Sequence, residues 1–535
     1  MNFARFCCLN ASKFPRREFL IESYPSKKTR RVLTWRELDE QTNKVANYLI
    51  QECGIKKGDV VQHLLLNSIE WYVTYMAVLK TGAVVSPLNF RFASNDIKYA
   101  CDVTRSKVFI LGETFVPRIE PIMKEMGYCE NYICVGDNPP VSMKAYKEII
   151  GNGKASPVLV DAADDDMAEL MFTSGTTGAP KPVSHTHGTL FWIGIGNALT
   201  YNEGYASVYL SPHPFYHSGT LFLSFPCYIA AGKILMPMEL QPENYLRTIA
   251  DEGCTGGWNT VPTWADLLSA LKSGQINLKD YDLSRLKHIE IGAQPVPYAL
   301  LEDSKKIFPD LPISNIYGIT EGGGGGLTNC YDEEIMRKPG SIGKATAFME
   351  AKIVDPEDKE MPAGSVGELL MRGPRLMKEY AFNPEMTAKT ITNGWLHTGD
   401  LAYMDEEGFI FFADRAKDLI IRGGENIFPA EIEDTLRKHP KIQDVAVLGY
   451  PHPRLVEIVM AIIQVRPGET LTDEDVVNFV KERGLAKYKW PEKIVQTTIP
   501  RNPAGKIEKP KLRDLYVKPA KEDMEKQFKK SSDGG

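Results

Sequence analysis

Between residues 33 and 320, short apolar runs alternate with amphipathic ones. That rhythm restricts the chain to layered α/β architecture with parallel strands. It is clearest over residues 33–100. Leu38, Val45, Leu49 and Ile50 share one face of a helix that starts near Thr34, with Thr34 as its N-cap and Glu37 at the capping-box position. Val60, Val61 and His63 to Leu66 read as a buried strand, and Tyr72 to Leu79 as the next helix. Val84-Val85 reads as a strand that runs into Pro87.

After residue 340 the texture becomes β-rich. Glu368 to Met371 and Phe409 to Ala413 read as strands, and Asp405-Glu406-Glu407-Gly408 as a hairpin turn. From Asp418 a small α+β unit follows. It holds Gly423-Gly424, a helix over Ala430–Lys438, strands at Val445–Leu448 and Val459–Val465, and a helix over Glu474–Arg483. The expected division is 1–416, 417–517 and a charged, disordered tail 518–535.

Composition bounds the function. The 535 residues, 43% hydrophobic and 25% charged, are ordinary for a globular protein with a sizeable core. A net charge of −6 and a pI near 6.0 argue against nucleic acid as a partner. Nine cysteines, none in a C-x-x-C pair, read as small core residues of a reducing, cytoplasmic compartment. Met1 to Pro15 lacks the apolar run of a secretory signal. The most apolar window, Thr220 to Ala231, contains Pro226 and is too short for a membrane span. His185 and His187 form an H-x-H pair with no further ligands in sight.

Five clusters carry chemistry. The first is Thr173-Ser174-Gly175-Thr176-Thr177-Gly178-Ala179-Pro180-Lys181, after the apolar stretch Ala168 to Phe172. Its free N–H groups, four hydroxyls and one cation suit a polyphosphate. It is not a Walker A loop, which needs Gly before the lysine and Ser or Thr after it; here Pro180 and Pro182 flank Lys181. Alone, such a loop is equally a surface turn. The second cluster, Tyr317-Gly318-Ile319-Thr320-Glu321, could hold Mg²⁺ against phosphates or could start a helix. The third, Trp395 to Asp400, places a carboxylate at a strand end, where it can accept from ribose hydroxyls or merely make a turn. The fourth, Asp414 to Asp418 with Gly423-Gly424, offers Arg415 to ribose or phosphate and close backbone approach to a thin ligand; a solvated linker looks the same. The fifth puts Lys506 just beyond Pro503-Ala504-Gly505 at an exposed loop tip, where lysine is usually surface charge.

In this order and span, the chain resembles the AMP-forming acyl-CoA synthetases of the adenylate-forming superfamily, from Thr34-Trp35-Arg36-Glu37-Leu38 to Lys506. Pro214-Phe215-Tyr216-His217, Gly292-Ala293-Gln294-Pro295 and Gly340-Ser341-Ile342-Gly343 add to the resemblance. It implies an α/β fold, with two αβ subdomains and a β-rich subdomain in a large N-terminal domain and a small α+β C-terminal lid. It implies ATP, Mg²⁺ and CoA, with residues 173–181 around the phosphates, Glu321 on Mg²⁺ and Thr320 on the α-phosphate. Tyr317 and Gly318 would border adenine with Gly292, Ala293 and Gln294. Asp400 and Arg415 would hold ribose. Lys506 would reach from the lid to the carboxylate and α-phosphate. Lys417 would be the hinge, and Gly423-Gly424 would border the pantetheine channel.

The first half-reaction needs no covalent nucleophile; oriented N–H donors, Mg²⁺ and a lysine stabilise charge between two anions. Phe215 to Ser218 carries no carboxylate for an amino acid's ammonium group, so an amino-acid substrate is not expected. His217, Trp258, Phe191 and Trp192 could line an acyl pocket, or be plain core. Gly322 to Gly326 would leave room there for a ring or chain, or form a mobile loop. The substrate expected is a medium-sized aliphatic, alicyclic or aromatic monocarboxylate. Transfer of the acyl group to a carrier protein, or binding of adenylate without catalysis, are the rival readings. A homodimer is compatible with the sequence. Two departures stand out: Pro182 where Gly commonly follows the loop lysine, and Val456 where Gly commonly precedes Glu457.

Overall fold

A computed structural model describes residues 1–173, 180–294, 296–415, 418–422, 425–501 and 507–524. The chain divides into two compact units, one of residues 1–351 with 371–396 and one of 352–370 with 397–535. The expected boundary at Ala416-Lys417 lies outside the described residues.

In the first unit the alternating segments build two sheets. One runs in the order Glu379–Tyr380, Lys181–Thr186, Met167–Thr173, Val84–Pro87, Val60–Leu64, Val108–Gly112, Asn131–Val135, Lys144–Ala145. It is parallel from Met167–Thr173 onward and antiparallel before it. The other runs Ser341–Ala345, Gly324–Cys330, Ile313–Ile319, Ile289–Gly292, Gly256–Thr260, Val208–Leu210, Lys233–Pro237, Glu18–Tyr24, Thr29–Thr34. Its middle is parallel and both ends are antiparallel. Parallel neighbours need crossovers, and helices supply them, so strands such as Val60–Leu64 are buried throughout.

The helix expected at Thr34 spans Trp35–Gln51 and carries the full capping box. Thr34 Oγ1 accepts from the Glu37 N–H at 3.3 Å, and Glu37 Oε2 accepts from the Thr34 N–H at 2.8 Å. Leu38, Val45 and Leu49 are buried, whereas Ile50 is only half-buried. The following strand stops at Leu64, and Leu66 is exposed. The next helix begins earlier than its apolar run, at Ile69, because Ser68 caps it through the Trp71 N–H at 3.1 Å. The apolar window forms helix Ser218–Ile229, buried from Thr220 to Tyr228 with Pro226 inside. One core joins strands of both sheets to these helices; Trp35 stacks on Phe19 at 3.9 Å, and Phe215 sits 5.1 Å from Trp71. Among the described residues no helix is long and apolar enough to cross a membrane, and all nine cysteines are free.

In the second unit the hairpin at Asp405–Gly408 forms as expected. Strand Trp395–Met404 pairs with Ile410–Arg415, Asp405 Oδ1 accepts from the Glu407 and Phe409 N–H groups, and Gly408 takes the left-handed φ of 82°. Beyond it, Ile420–Arg422 lies between Glu425–Ile427 and Val456–Val465, which pairs with Ile442–His452 and, in parallel, with Lys493–Gln496. Helices Pro429–Leu436 and Asp473–Glu482 cover this sheet around Ile432, Val445, Val459 and Val476. Residues 507–524 are more ordered than their composition suggests. Leu512 and Val517 are buried, and helical structure continues to Met524 where a disordered tail from 518 was expected.

Val456 has a φ of 68° and is largely exposed. This left-handed backbone disfavours a β-branched side chain and suits the glycine that the family resemblance implies there. Val456→Gly is expected to stabilise the chain by about 0.5–1 kcal/mol, the relief of strain less the extra chain entropy of glycine, as read by denaturant unfolding.

Candidate active site

Thr173 and Lys181, the first and last residues of the hydroxyl-rich segment, stand opposite each other as strand Met167–Thr173 pairs with Lys181–Thr186. A strand follows it, so the next element has no helix N-terminus to add to anion binding. Ser174, Gly175, Thr176 and Thr177 lie outside the described residues. Pro182 serves the neighbouring strand by accepting from the Ala381 N–H at 2.9 Å.

Strand Ile313–Ile319 turns at Thr320–Gly322 into strand Gly324–Cys330. The helix start considered for this segment amounts to one 3-10 turn, Thr320–Gly322, set between two antiparallel strands. Four groups hold the turn. His185 Nε2 donates to Thr320 O at 2.9 Å, and Ser218 Oγ lies 3.1 Å from Thr320 Oγ1. The Met377 N–H donates to Glu321 O at 2.7 Å, and the Tyr380 hydroxyl donates to Glu321 Oε1 at 2.8 Å. Burial and the Glu321 charge push the Tyr380 phenol up, so it stays a donor. Lys181 Nζ sits 5.4 Å from the centre of the Tyr380 ring, within cation–π range.

The H-x-H pair is structural. Burial pushes His185 down to about 4; its neutral ring must carry the proton on Nε2, since a carbonyl only accepts. His187 Nδ1 accepts from the Phe3 N–H at 3.1 Å. Among the described residues no group of three or more His, Cys, Asp and Glu is placed to hold a metal ion.

Gly292 and Tyr317 stand on adjacent parallel strands, Gly292 opposite Ile316, at the C-terminal ends where α/β sheets bind ligands. A Cβ at Gly292 would lie 2.4 Å from Ile316 O, and one at Gly318 1.8 Å from Gly324 O, so neither position admits a side chain. Ala293 has a φ of 68°, and strain of this kind clusters at functional sites. Gln294 and Tyr317 are half-buried.

His217 immediately precedes helix Ser218–Ile229, its ring 4.3 Å from Tyr216. Trp258 packs across Gly219, where a Cβ would meet the indole at 3.4 Å, and against His213 at 4.9 Å. His213 Nε2 accepts from the Thr260 N–H at 3.1 Å; burial pushes it down to about 4. Asn67 braces this segment by donating to His213 O at 2.7 Å and accepting from the Phe215 N–H at 2.9 Å. Phe191 and Trp192 are engaged elsewhere, on Phe6 and Phe348. The glycine run is strand and turn, and it leaves no spare room at Gly322 or Gly323: a Cβ would meet Leu327 at 2.3 Å and Arg375 O at 2.8 Å respectively.

In the second unit Asp400 is buried and lies within strand Trp395–Met404, not at its end as expected. It stands opposite Arg415, and its N–H donates to Thr398 Oγ1 at 3.1 Å. Thr398 is fixed in turn by Leu369 O at 2.6 Å. Lys417, Gly423, Gly424 and Lys506 lie outside the described residues, as does Pro295.

Asn67, His213 and Tyr380 carry no signal in the sequence, and His185 and Ser218 are legible there only within the H-x-H pair and the Phe215–Ser218 segment. Each acts through a partner distant in the chain, such as Glu321 and Tyr380, 59 residues apart, and no local pattern marks that pairing.

A carboxylate and hydroxyl just past a strand end, with close-approach glycines on the adjacent strands, fit an adenylate-forming enzyme. The AMP-binding enzyme family matches residues 9–381, and the AMP-binding enzyme C-terminal domain matches residues 431–506. The chain is 32% identical over 506 residues to the long-chain-fatty-acid–CoA ligase FadD13 of Mycobacterium tuberculosis, covering 93% of this chain and 95% of that one. It is 31% identical over 503 residues to the medium-chain fatty-acid–CoA ligase of Escherichia coli, covering 92% and 87%. The solved structure of the anthranilate CoA ligase AuaEII with anthranoyl-AMP matches with a TM-score of 0.86 at 26% identity, over 97% of this chain and 98% of that one. The chain belongs to the AMP-binding enzyme family and is an AMP-forming acid–thiol ligase of the acyl-CoA synthetase kind.

Two outcomes follow from this geometry. Tyr380→Phe removes the donor from Glu321 and is expected to slow acid-dependent pyrophosphate release about 10–100-fold, with the melting temperature little changed. The ring-proton NMR signals of His185 and His213 are expected to stay constant from pH 8 to 5.5, because both folded values lie near 4. The folded values lie below the unfolded value of about 6.5, so these rings withdraw stability only as pH falls from there towards 4. A titration centred near 6.5 for either ring would contradict its burial.

Proposed function

We propose that this chain activates a medium-sized aliphatic, alicyclic or aromatic monocarboxylate with ATP and passes the acyl group to CoA, releasing AMP and pyrophosphate. The observation that carries the reading is the Thr320–Gly322 turn, whose backbone is held by His185 and Met377, its hydroxyl by Ser218 and its carboxylate by Tyr380. The relatives act on fatty acids of two length classes, and the structural neighbour on an aromatic acid. Trp258, closed across Gly219, supports a limit on chain length.

The first step joins two anions, so the barrier lies in repulsion and positioning. Residues 173–181 wrap the phosphates, with Lys181 as a fixed cation. Thr320 donates to the α-phosphate. Glu321 and Thr320 offer the hard oxygen donors that suit Mg²⁺, which when bound neutralises phosphate charge. Gly292, Ala293, Gln294, Tyr317 and Gly318 border adenine, and Asp400 and Arg415 hold ribose. His217 and Trp258 border the acid. Lys506, carried by residues 417–517, stabilises the carboxylate as it meets the α-phosphorus. The second step brings in a thiol whose reference pKa of about 8.5 leaves some thiolate at neutral pH. It attacks the acyl carbonyl and expels AMP, with Gly423-Gly424 along the pantetheine and Lys417 as the hinge that removes Lys506.

The test is a panel of acetate, octanoate, cyclohexanecarboxylate, benzoate and palmitate with ATP and Mg²⁺, with and without CoA, reading AMP, pyrophosphate and thioester. Octanoate or a ring acid is expected to lead. Pyrophosphate without thioester would point to a carrier-protein acceptor. Lys506→Ala is expected to abolish pyrophosphate release yet leave preformed acyl-adenylate competent for thioester formation; equal loss of both steps would remove Lys506 from its role.

A further inference from the structure

Arg375 is a fully buried cation, 1% exposed. Its Nη1 donates to Asn197 Oδ1 and Gly326 O, both at 2.9 Å, and its Nη2 to Gly323 O and Gly325 O, both at 2.8 Å. All four acceptors are neutral. Another buried cation of this unit, Lys80, has the Asp39 carboxylate at 2.6 Å, which is how a buried charge is ordinarily compensated. Burial pushes the Arg375 guanidinium down only to about 10, so it stays charged at neutral pH.

The glycine run is a mould for this group. Gly323, Gly324 and Gly326 take left-handed φ values of 84°, 73° and 88°, and the carbonyls of Gly323, Gly325 and Gly326 converge on the guanidinium. A Cβ at Gly323 would lie 2.8 Å from Arg375 O, and one at Gly326 2.6 Å from Asn197 Oδ1. The two NH2 arms of the planar guanidinium reach acceptors at two separate points, whereas a lysine ammonium gathers its three donors at one.

The run starts one residue after Glu321, and Arg375 opens the segment that grips Glu321 from the other side. Within that segment the Met377 N–H bonds Glu321 O, the Lys378 N–H bonds Ser184 O, and the Tyr380 hydroxyl bonds Glu321 Oε1. We propose that Arg375 is a positioning residue of the adenylation site: by clamping Gly323–Gly326 it fixes the Thr320–Gly322 turn and so sets how Glu321 meets Mg²⁺·ATP. The proposal rests on the activity proposed above and concerns residues to which that activity assigns no role.

The experiment compares full-length wild type with Arg375→Lys and Arg375→Met. Calorimetry measures ATP affinity with and without Mg²⁺, and a coupled assay measures pyrophosphate release with octanoate and benzoate. A loss of folded protein lowers the number of sites but not the Mg²⁺ enhancement per site. Arg375→Met is expected to weaken that enhancement and slow pyrophosphate release about 10–100-fold, as loss of a ligand's supporting partner does. Arg375→Lys should recover part of both. Equal Mg²⁺ enhancement in wild type and variants, including none in any, overturns the proposal. Where Arg375→Met does not fold, Arg375→Lys decides in the same way. Wild type that releases no pyrophosphate with any acid of the panel overturns the proposed activity instead, and the calorimetric comparison still decides the role of Arg375.

Discussion

The hydrogen bonds that Tyr380 and Met377 make to Glu321 join segments far apart in the chain, and the geometry of the candidate site follows from them. A carboxylate at a strand end is mobile unless something holds it. Here its side-chain oxygen takes the Tyr380 hydroxyl at 2.8 Å and its carbonyl takes the Met377 N–H at 2.7 Å. The same segment pairs with Lys181–Thr186 as an edge strand, with Tyr380 opposite Val183. Strand Lys181–Thr186 and the Thr320–Gly322 turn are therefore braced by one piece of backbone, and their spacing is set before any ligand arrives.

Charge is distributed sparingly around this frame. The nearby histidines, His185 and His213, are neutral because burial disfavours their cationic form, and each spends its ring on a backbone group. Among the described residues, Lys181 lies beside the Tyr380 ring and Arg375 is buried behind the glycine run. A dry, preorganised set of donors stabilises developing charge without reorganising, which is the requirement for joining a carboxylate to a phosphate.

Much of this was legible. The capping box at Thr34, the hairpin at Asp405–Gly408 and the strand before Thr173 are local patterns, and they formed where their chemistry placed them. The glycine run was misread. Five residues without side chains suggested open space, whereas protein fills the positions their Cβ atoms would take and Arg375 occupies the centre of the fold-back. The H-x-H pair, to which the sequence assigns no metal for want of further ligands, serves backbone hydrogen bonds. Asp400 was expected at a strand end and lies mid-strand, because its pairing with Arg415 extends through the hairpin beyond it.

The amino-acid sequence alone determined the layered α/β class, the capped helices, the family and the residue types available to nucleotide and acid, since these rest on periodicity and short-range chemistry. Only the tertiary structure decided which carbonyls converge on Arg375, which phenol holds Glu321 and which histidines are neutral. Those outcomes depend on burial and on hydrogen bonds between residues tens to hundreds of positions apart, such as Arg375 and Asn197 or Phe3 and His187. A linear pattern carries no distance between such pairs; close packing of the sheets does.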